Sequence, residues 1–328
     1  MLPLKYLVHN QELVLSILSR WEHDRDQLHL LERFRISANA VYPFKCAGEL
    51  RFLRFAPLSE KPADGILAEL DWISFLRANG YPCLAPVLSK HGRRLEILET
   101  PWGAYAATAF TAVPGKSLES LQMTEAIIHG WGQSLGRLHR LSMSYQPTGN
   151  QRPSYRQRLQ WMDDMLQALP GEDLARQELT LVSKWLNSLP QDSQSFGLIH
   201  YDFETDNVFH DPLTNAFHAI DFDDAVYHWF MMDITVSLMS YADDAAPDQF
   251  ERALPAFVAG YRTERRLDDV WLERMPGFQR YLRLYGYVRI LYAAREPVAE
   301  QPDWMNRLSE RLDALLKRRS ADFGKPIR

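Results

Sequence analysis

The sequence predicts an α+β protein of two lobes, a small antiparallel sheet carrying one helix followed by a mostly helical lobe. Three observations carry this. Short β-type runs at 41–46 and 50–55 flank Ala47-Gly48-Glu49, the pattern of a hairpin. After Pro62-Ala63, Ile66, Leu67, Leu70, Ile73 and Leu76 recur at helical spacing until Asn79-Gly80 stops them. Beyond Val113-Pro114-Gly115 the apolar periodicity is largely helical. The expected division is an N-terminal lobe at 1–112, a hinge at 113–116 and a C-terminal lobe at 117–328.

Each element follows in order. Period two places Leu50, Phe52 and Arg54 on one face of the second strand. Glu69 falls within the apolar stripe of the helix, and a carboxylate there needs a cationic partner; Arg54 is the nearest candidate. Further strands are expected at 85–90, 94–100 and 104–112, with His91-Gly92 as a turn. Gly115-Lys116-Ser117 imitates the end of a P-loop, but the position that needs its first glycine is Phe110. In the second lobe, helices are expected around 127–138, 231–241, 250–261, 278–292 and 305–316.

One stretch names a chemistry. Residues 200–207 read His-Tyr-Asp-Phe-Glu-Thr-Asp-Asn, an H-x-D-x-x-x-x-N spacing, and Asp221 follows 14 residues after Asn207 in the apolar frame Ala219-Ile220-Asp221-Phe222. Strand-like residues at 207–210 and 216–220, joined by Asp-Pro-Leu-Thr-Asn, form a hairpin that returns Asp221 to the loop it left. Phosphoryl transfer from ATP needs a group that positions the attacking hydroxyl, and Asp202 supplies it. It also needs hard oxygen ligands for Mg2+, which Asn207 and Asp221 supply. Singly, each acid could be a turn former or a cap; their joint spacing favours the catalytic reading.

With these residues the chain resembles the aminoglycoside phosphotransferase and choline kinase family, small-molecule kinases of protein-kinase-like fold, from about Phe34 to the C-terminal helices. The resemblance implies that Asp202 is the catalytic base, Asn207 and Asp221 the magnesium ligands, and Asp233 a buried acid bracing the catalytic loop. It also implies that Arg54 stands where kinases carry the lysine that holds the α- and β-phosphates, paired to Glu69, with Phe52 stacking on adenine. Two features depart from the family pattern: Tyr201 follows His200 where glycine is common, and no glycine-rich phosphate loop is visible. The loop candidate is at 36–42, where Ser37 and Asn39 offer donors to phosphate oxygens. Adenine is expected to meet the backbone near Thr111 to Val113. ATP rather than GTP is the family default.

The acceptor is expected to be a small molecule bearing a hydroxyl. Glu204, Asp206, Asp223 and Asp224 lie within a few residues of the inferred base and metal ligands, so negative potential at the acceptor mouth would favour an amine. Aminoglycosides, macrolides, choline-like amines, homoserine and sugar amines are all served by chains of this kind. A protein serine/threonine kinase is disfavoured, since Asp233 lies only 12 residues on from Asp221 and no Ala-Pro-Glu follows. A nucleotide-binding pseudokinase is disfavoured by the presence of Asp202, Asn207 and Asp221 together.

Composition sets outer limits. A net charge of −5 argues against a nucleic-acid partner, which wants a basic surface. Cys46 and Cys83 form neither a C-x-x-C motif nor a disulfide framework, which points to a reducing cytoplasm. No run of 18 apolar residues occurs, and residues 1–10 lack a signal-peptide layout, so no membrane role is expected. Oligomeric state is not legible.

Overall fold

The computed structural model describes residues 9–244, 247–294 and 303–327; residues 1–8, on which the leader-peptide expectation bears, lie outside them. The first lobe opens with α1 (Gln11–Leu18), capped by the Asn10 side chain, and a 3₁₀ stretch (Arg25–Glu32). It continues through β1 (Arg35–Ile36), β2 (Ala40–Cys46), β3 (Glu49–Pro57), α2 (Ala63–Ala78), β4 (Pro86–Val87), β5 (Glu96–Thr100) and β6 (Gly103–Thr111). These strands make one antiparallel sheet in the order β1-β2-β3-β6-β4, with β5 on β6. The β2–β3 turn is Ala47-Gly48 with both φ positive, 54° and 79°, the geometry a two-residue hairpin requires. Asp24 takes both turn amides, at 2.8 and 2.9 Å, which holds alanine in a conformation it otherwise avoids.

The second lobe contains β7 (Lys116–Ser117), α3 (Glu125–Ser142), α4 (Tyr155–Gln167), α5 (Asp173–Ser188), β8 (Phe196–Ile199), β9 (Val208–Asp211), β10 (Ala216–Ala219) and β11 (Val226–Trp229). It ends with α6 (Phe230–Asp244), α7 (Pro247–Glu264), α8 (Asp269–Glu273), α9 (Met275–Ala294) and α10 (Asp303–Arg319). Helices α3 and α7 approach so closely that a Cβ on Gly260 would fall 1.8 Å from the His129 carbonyl oxygen. Pairs β10–β9–β7 and β11–β8 are small antiparallel ladders whose loops carry the site. Ala219 bonds through both its amide and its carbonyl to residues 82–84, tying the end of β10 to the segment that follows α2.

Two apolar cores result. One lies on the outer face of the sheet, where Leu53, Phe55 and Tyr42 bury Trp21 and the apolar side of α1. The other is continuous from Leu70, Trp72, Ile73 and Leu76 of α2 into the helical lobe.

Several expectations shift. The strand expected at 85–90 shrinks to β4, because Ser89 and Arg93 close a turn that ends the run. Helices α1, α4 and α5, and the short strands β8 and β11, were not anticipated. In α4 the buried positions are only Tyr155, Met162 and Leu166, a thin stripe within an otherwise polar helix.

Candidate active site

The loop between β8 and β9 is held from beneath. Asp233, in the first turn of α6, accepts hydrogen bonds from the amides of His200 (2.8 Å) and Tyr201 (2.6 Å) and from His139 Nε2 (3.0 Å). His139 Nδ1 in turn meets the Tyr261 hydroxyl at 2.8 Å. Tyr201 sits at φ 67°, a left-handed conformation unusual for a bulky residue. Glycine adopts that conformation without strain; here the Asp233 bond and packing of the ring on Tyr285, centroids 5.3 Å apart, hold the tyrosine in place. His200 is fully buried. Its Nε2 donates to the Ile220 carbonyl (2.9 Å) and its Nδ1 accepts the Asp202 amide (3.3 Å), while burial depresses its pKa to about 4, so the ring is neutral.

On the other side of the loop, Asp202 Oδ2 accepts from Asn207 Nδ2 at 2.8 Å, which turns the Asn207 amide oxygen away from Asp202. The Asn207 carbonyl receives the Ile220 amide at 2.9 Å, and this bond sets Asp221 beside the loop. Asp221 is itself left-handed, at φ 60° and ψ 64°. Its Oδ1 is buried, makes no hydrogen bond and faces the Arg54 guanidinium at 3.6 Å, while 42% of the side chain as a whole stays open. The open part of the Asp221 carboxylate and the Asn207 amide oxygen, both lining the cleft, are hard oxygen donors of the kind that would hold a divalent cation. Among the described residues no cluster of three His, Cys, Asp or Glu competes for that role. Desolvation, with Asp223 adding to it, raises Asp221 to about 6 against the pull of Arg54. Burial, and then Glu204, Asp224 and Asp221, raise Asp202 well above the usual carboxylate range.

A cleft of about 480 Å³ runs from these residues under the sheet. Ser37, Asn39, Phe52, Arg54, Thr111, Val113, Asp206, Asn207 and Asp221 all line it, Phe52 and Arg54 from one face of β3 together with Leu50. Arg54 donates to both oxygens of the fully buried Glu69, at 2.9 and 2.7 Å, and lies 3.6 Å from Asp221 Oδ1. Phe110 supports the guanidinium from below, 4.9 Å from ring centroid to Cζ. At the end of β6 the Thr111 and Ala112 amides are spent on Ala85 and Leu50, leaving Val113 as the first amide there without a backbone partner among the described residues. The Ser37 amide closes the turn onto the Asn39 carbonyl at 3.0 Å, while the Asn39 side chain reaches across to Asp223.

The acceptor-side acids need correction on one point. Negative potential is expected from all four, but Asp223 is paired with Lys61, Asp224 with Arg289 (3.1 Å) and Arg158 (3.6 Å), and Asp206, which lines the cleft under the sheet, with Arg35 (3.4 Å). Burial opposes charge on Asp223 and Asp224, yet Lys61 and Arg54 bring Asp223 to about 2, and Arg289, Lys61 and Arg158 hold Asp224 below the carboxylate range. Glu204 is the exception. Burial and Asp206 push it up to about 7.

Sequence reasoning missed Lys61, Arg152, Arg158, Arg289 and His139. Arg289 carried a readable signal, a cation amid the apolar run of α9 that had to find an acid. Lys61, in a turn, carried none.

A family model described as the phosphotransferase enzyme family matches residues 39–271. Amicoumacin kinase from Bacillus subtilis (strain 168) is 24% identical over 305 residues, 88% of each chain. Among solved structures, amicoumacin kinase hAmiN in complex with AMP-PNP, Ca2+ and Ami aligns with TM-score 0.79 and 22% identity, over 98% of this chain and 96% of that one. A microcompartment-associated aminopropanol kinase aligns at TM-score 0.73 and 20% identity, over 95% and 97%.

Proposed function

The chain belongs to the phosphotransferase enzyme family, and from that premise and the cleft geometry we propose that it moves the γ-phosphoryl group of ATP, with Mg2+, to a hydroxyl of a small amine-bearing molecule. The observation that carries this is the convergence of Asn207, Asp221 and Arg54 along one cleft, with Asp202 bonded to Asn207 and Glu69 bonded to Arg54 behind them. Asn207 and Asp221 would hold the metal, which neutralises the phosphates and aligns them. Arg54, held rigid by Glu69, faces the phosphates; Phe52 lies against the base, and the Val113 amide meets its edge, with the hinge at 113–116 joining the lobes.

Asp202 orients the acceptor hydroxyl and takes its proton. Its raised pKa suits that task, since a carboxylate more basic than usual is a better proton acceptor. Asn207 fixes which oxygen faces the acceptor by occupying Oδ2. An ammonium on the acceptor is supported by Glu204, whose elevated pKa a bound cation would pull down, and by the amine in the aminopropanol substrate class of one structural relative. Between Asp221 and Asp233 the chain is spent on a 3₁₀ turn, β11 and the start of α6, which leaves no extended segment to dock a peptide.

The test is a coupled assay of ADP release across amino alcohols, hydroxy amino acids, aminoglycosides and neutral sugars, with mass detection of the phosphomonoester. Magnesium-dependent turnover of an amine-bearing alcohol is expected. Turnover confined to neutral sugars would remove the amine, and phosphorylation of protein alone would overturn the small-molecule reading.

A further inference from the structure

The ion pair of Lys61 with Asp223 has no place in the roles above. Arg54 spends both terminal nitrogens on Glu69, so its fork is already committed. A second cation of the first lobe reaches the same segment. Lys61 lies in the turn between β3 and α2, and its ammonium is paired with Asp223 Oδ2, with 23% of its side chain exposed. Asn39 Nδ2 donates to the same oxygen at 3.0 Å. Arg152 holds the Asp223 carbonyl from below. One carboxylate thus gathers the turn before β2, the turn before α2 and the segment after β10, two residues beyond Asp221.

The position is at a border. On one side Asn39 and Asp221 line the nucleotide cleft. On the other, Asp224 and its partner Arg289 both act on the Lys61 charge and adjoin Asp202.

We propose that Lys61 is the cation that binds the phosphoryl group being transferred, leaving Asp223 for the outermost phosphate when a triphosphate is bound. This rests on the kinase reading above. A flexible ammonium with three donors can move between two anions, whereas a guanidinium locked bidentately on Glu69 cannot. Asp223 keeps the Asn39 amide after the exchange, so it is not left bare. Phosphate oxygens, more highly charged than a lone carboxylate, compete well for the lysine.

The readout is the affinity difference between AMP-PNP and ADP, each with magnesium, measured by titration calorimetry on wild type, Lys61→Met and Lys61→Arg. Wild type is expected to bind AMP-PNP more tightly. Lys61→Met should lower AMP-PNP affinity by about 10-fold or more, the worth of a charge-assisted hydrogen bond, with ADP affinity unchanged. Lys61→Arg should recover part of the loss. Lys61→Gln keeps a donor for Asp223 and serves if the methionine variant does not fold. Equal losses for both nucleotides would show that Lys61 acts through the fold, and no loss would leave it bound to Asp223; either overturns the assignment. Absence of any nucleotide binding by wild type would overturn the kinase reading together with it.

Discussion

The loop at residues 200–207 is buried on two sides, and the two sides treat burial in opposite ways. Beneath it, Asp233 accepts the His200 and Tyr201 amides and His139, and His139 continues to Tyr261, so each buried polar atom named there has a partner. Burial lowers the pKa of both His200 and His139. Above it, Asp202, Glu204 and Asp221 all have raised pKa values, and Asp221 Oδ1 has no hydrogen-bond partner. A satisfied network can fix a backbone without ligands, and that rigidity is what lets carboxylates be held crowded together above it, with Asp221 meeting a cation only at the 3.6 Å of Arg54. Paired acids such as Asp223 and Asp224 mark where the protein supplied its own cations instead.

The largest expected effect is on the upper side. Asp202→Asn should cut turnover by about 10² to 10⁴ while nucleotide binding persists, and should melt no lower than wild type because a desolvated charge is gone. Asp221→Asn should instead weaken magnesium–nucleotide binding; equal affinity losses in the two variants, titrated with and without magnesium, would merge roles that the geometry separates.

Asp233→Ala attacks the underside. It strands three donors, each costing about 1 to 3 kcal/mol when buried unpaired, so urea denaturation should show a loss of about 3 kcal/mol or more. A loss below about 1 kcal/mol would mean the brace is dispensable.

The Arg54–Glu69 pair lies between the two regimes, buried like the brace yet facing the cleft. A double-mutant cycle on the KM for ATP should give a coupling of roughly 0.5 to 3 kcal/mol, and strict additivity would contradict the two short bonds.

The smallest effect separates the sides by pH. His200 has a folded pKa of about 4, below its ordinary 6.5, so its contribution is complete above about 6.5 and is lost as pH falls toward 4. Glu204 has a folded pKa of about 7, above its ordinary 4.5, so its contribution is complete below about 4.5 and is lost as pH rises through 7. Glu204→Gln should therefore be more stable than wild type at pH 8 by about 1 kcal/mol, after allowing for solvent screening, with the difference vanishing near pH 4.5. A pH-independent difference would remove the titration argument.

The sequence alone determined the parts whose signals are local. The spacing of Asp202, Asn207 and Asp221, the hairpin that returns Asp221, the strand phase of Arg54 and the helical phase of Glu69 are all functions of residues close in the chain. Period and turn chemistry are enough to place them. Tertiary structure alone decided which acids are neutralised. Lys61 meets Asp223 across 162 residues, Arg158 and Arg289 reach Asp224 across 66 and 65, and Asn39 reaches Asp223 across 184. Composition shows only that cations and anions are both present. Because Coulomb energy depends on distance in space and on local burial, charges that read as one acidic cluster along the chain became, once folded, several closed ion pairs around a few open carboxylates.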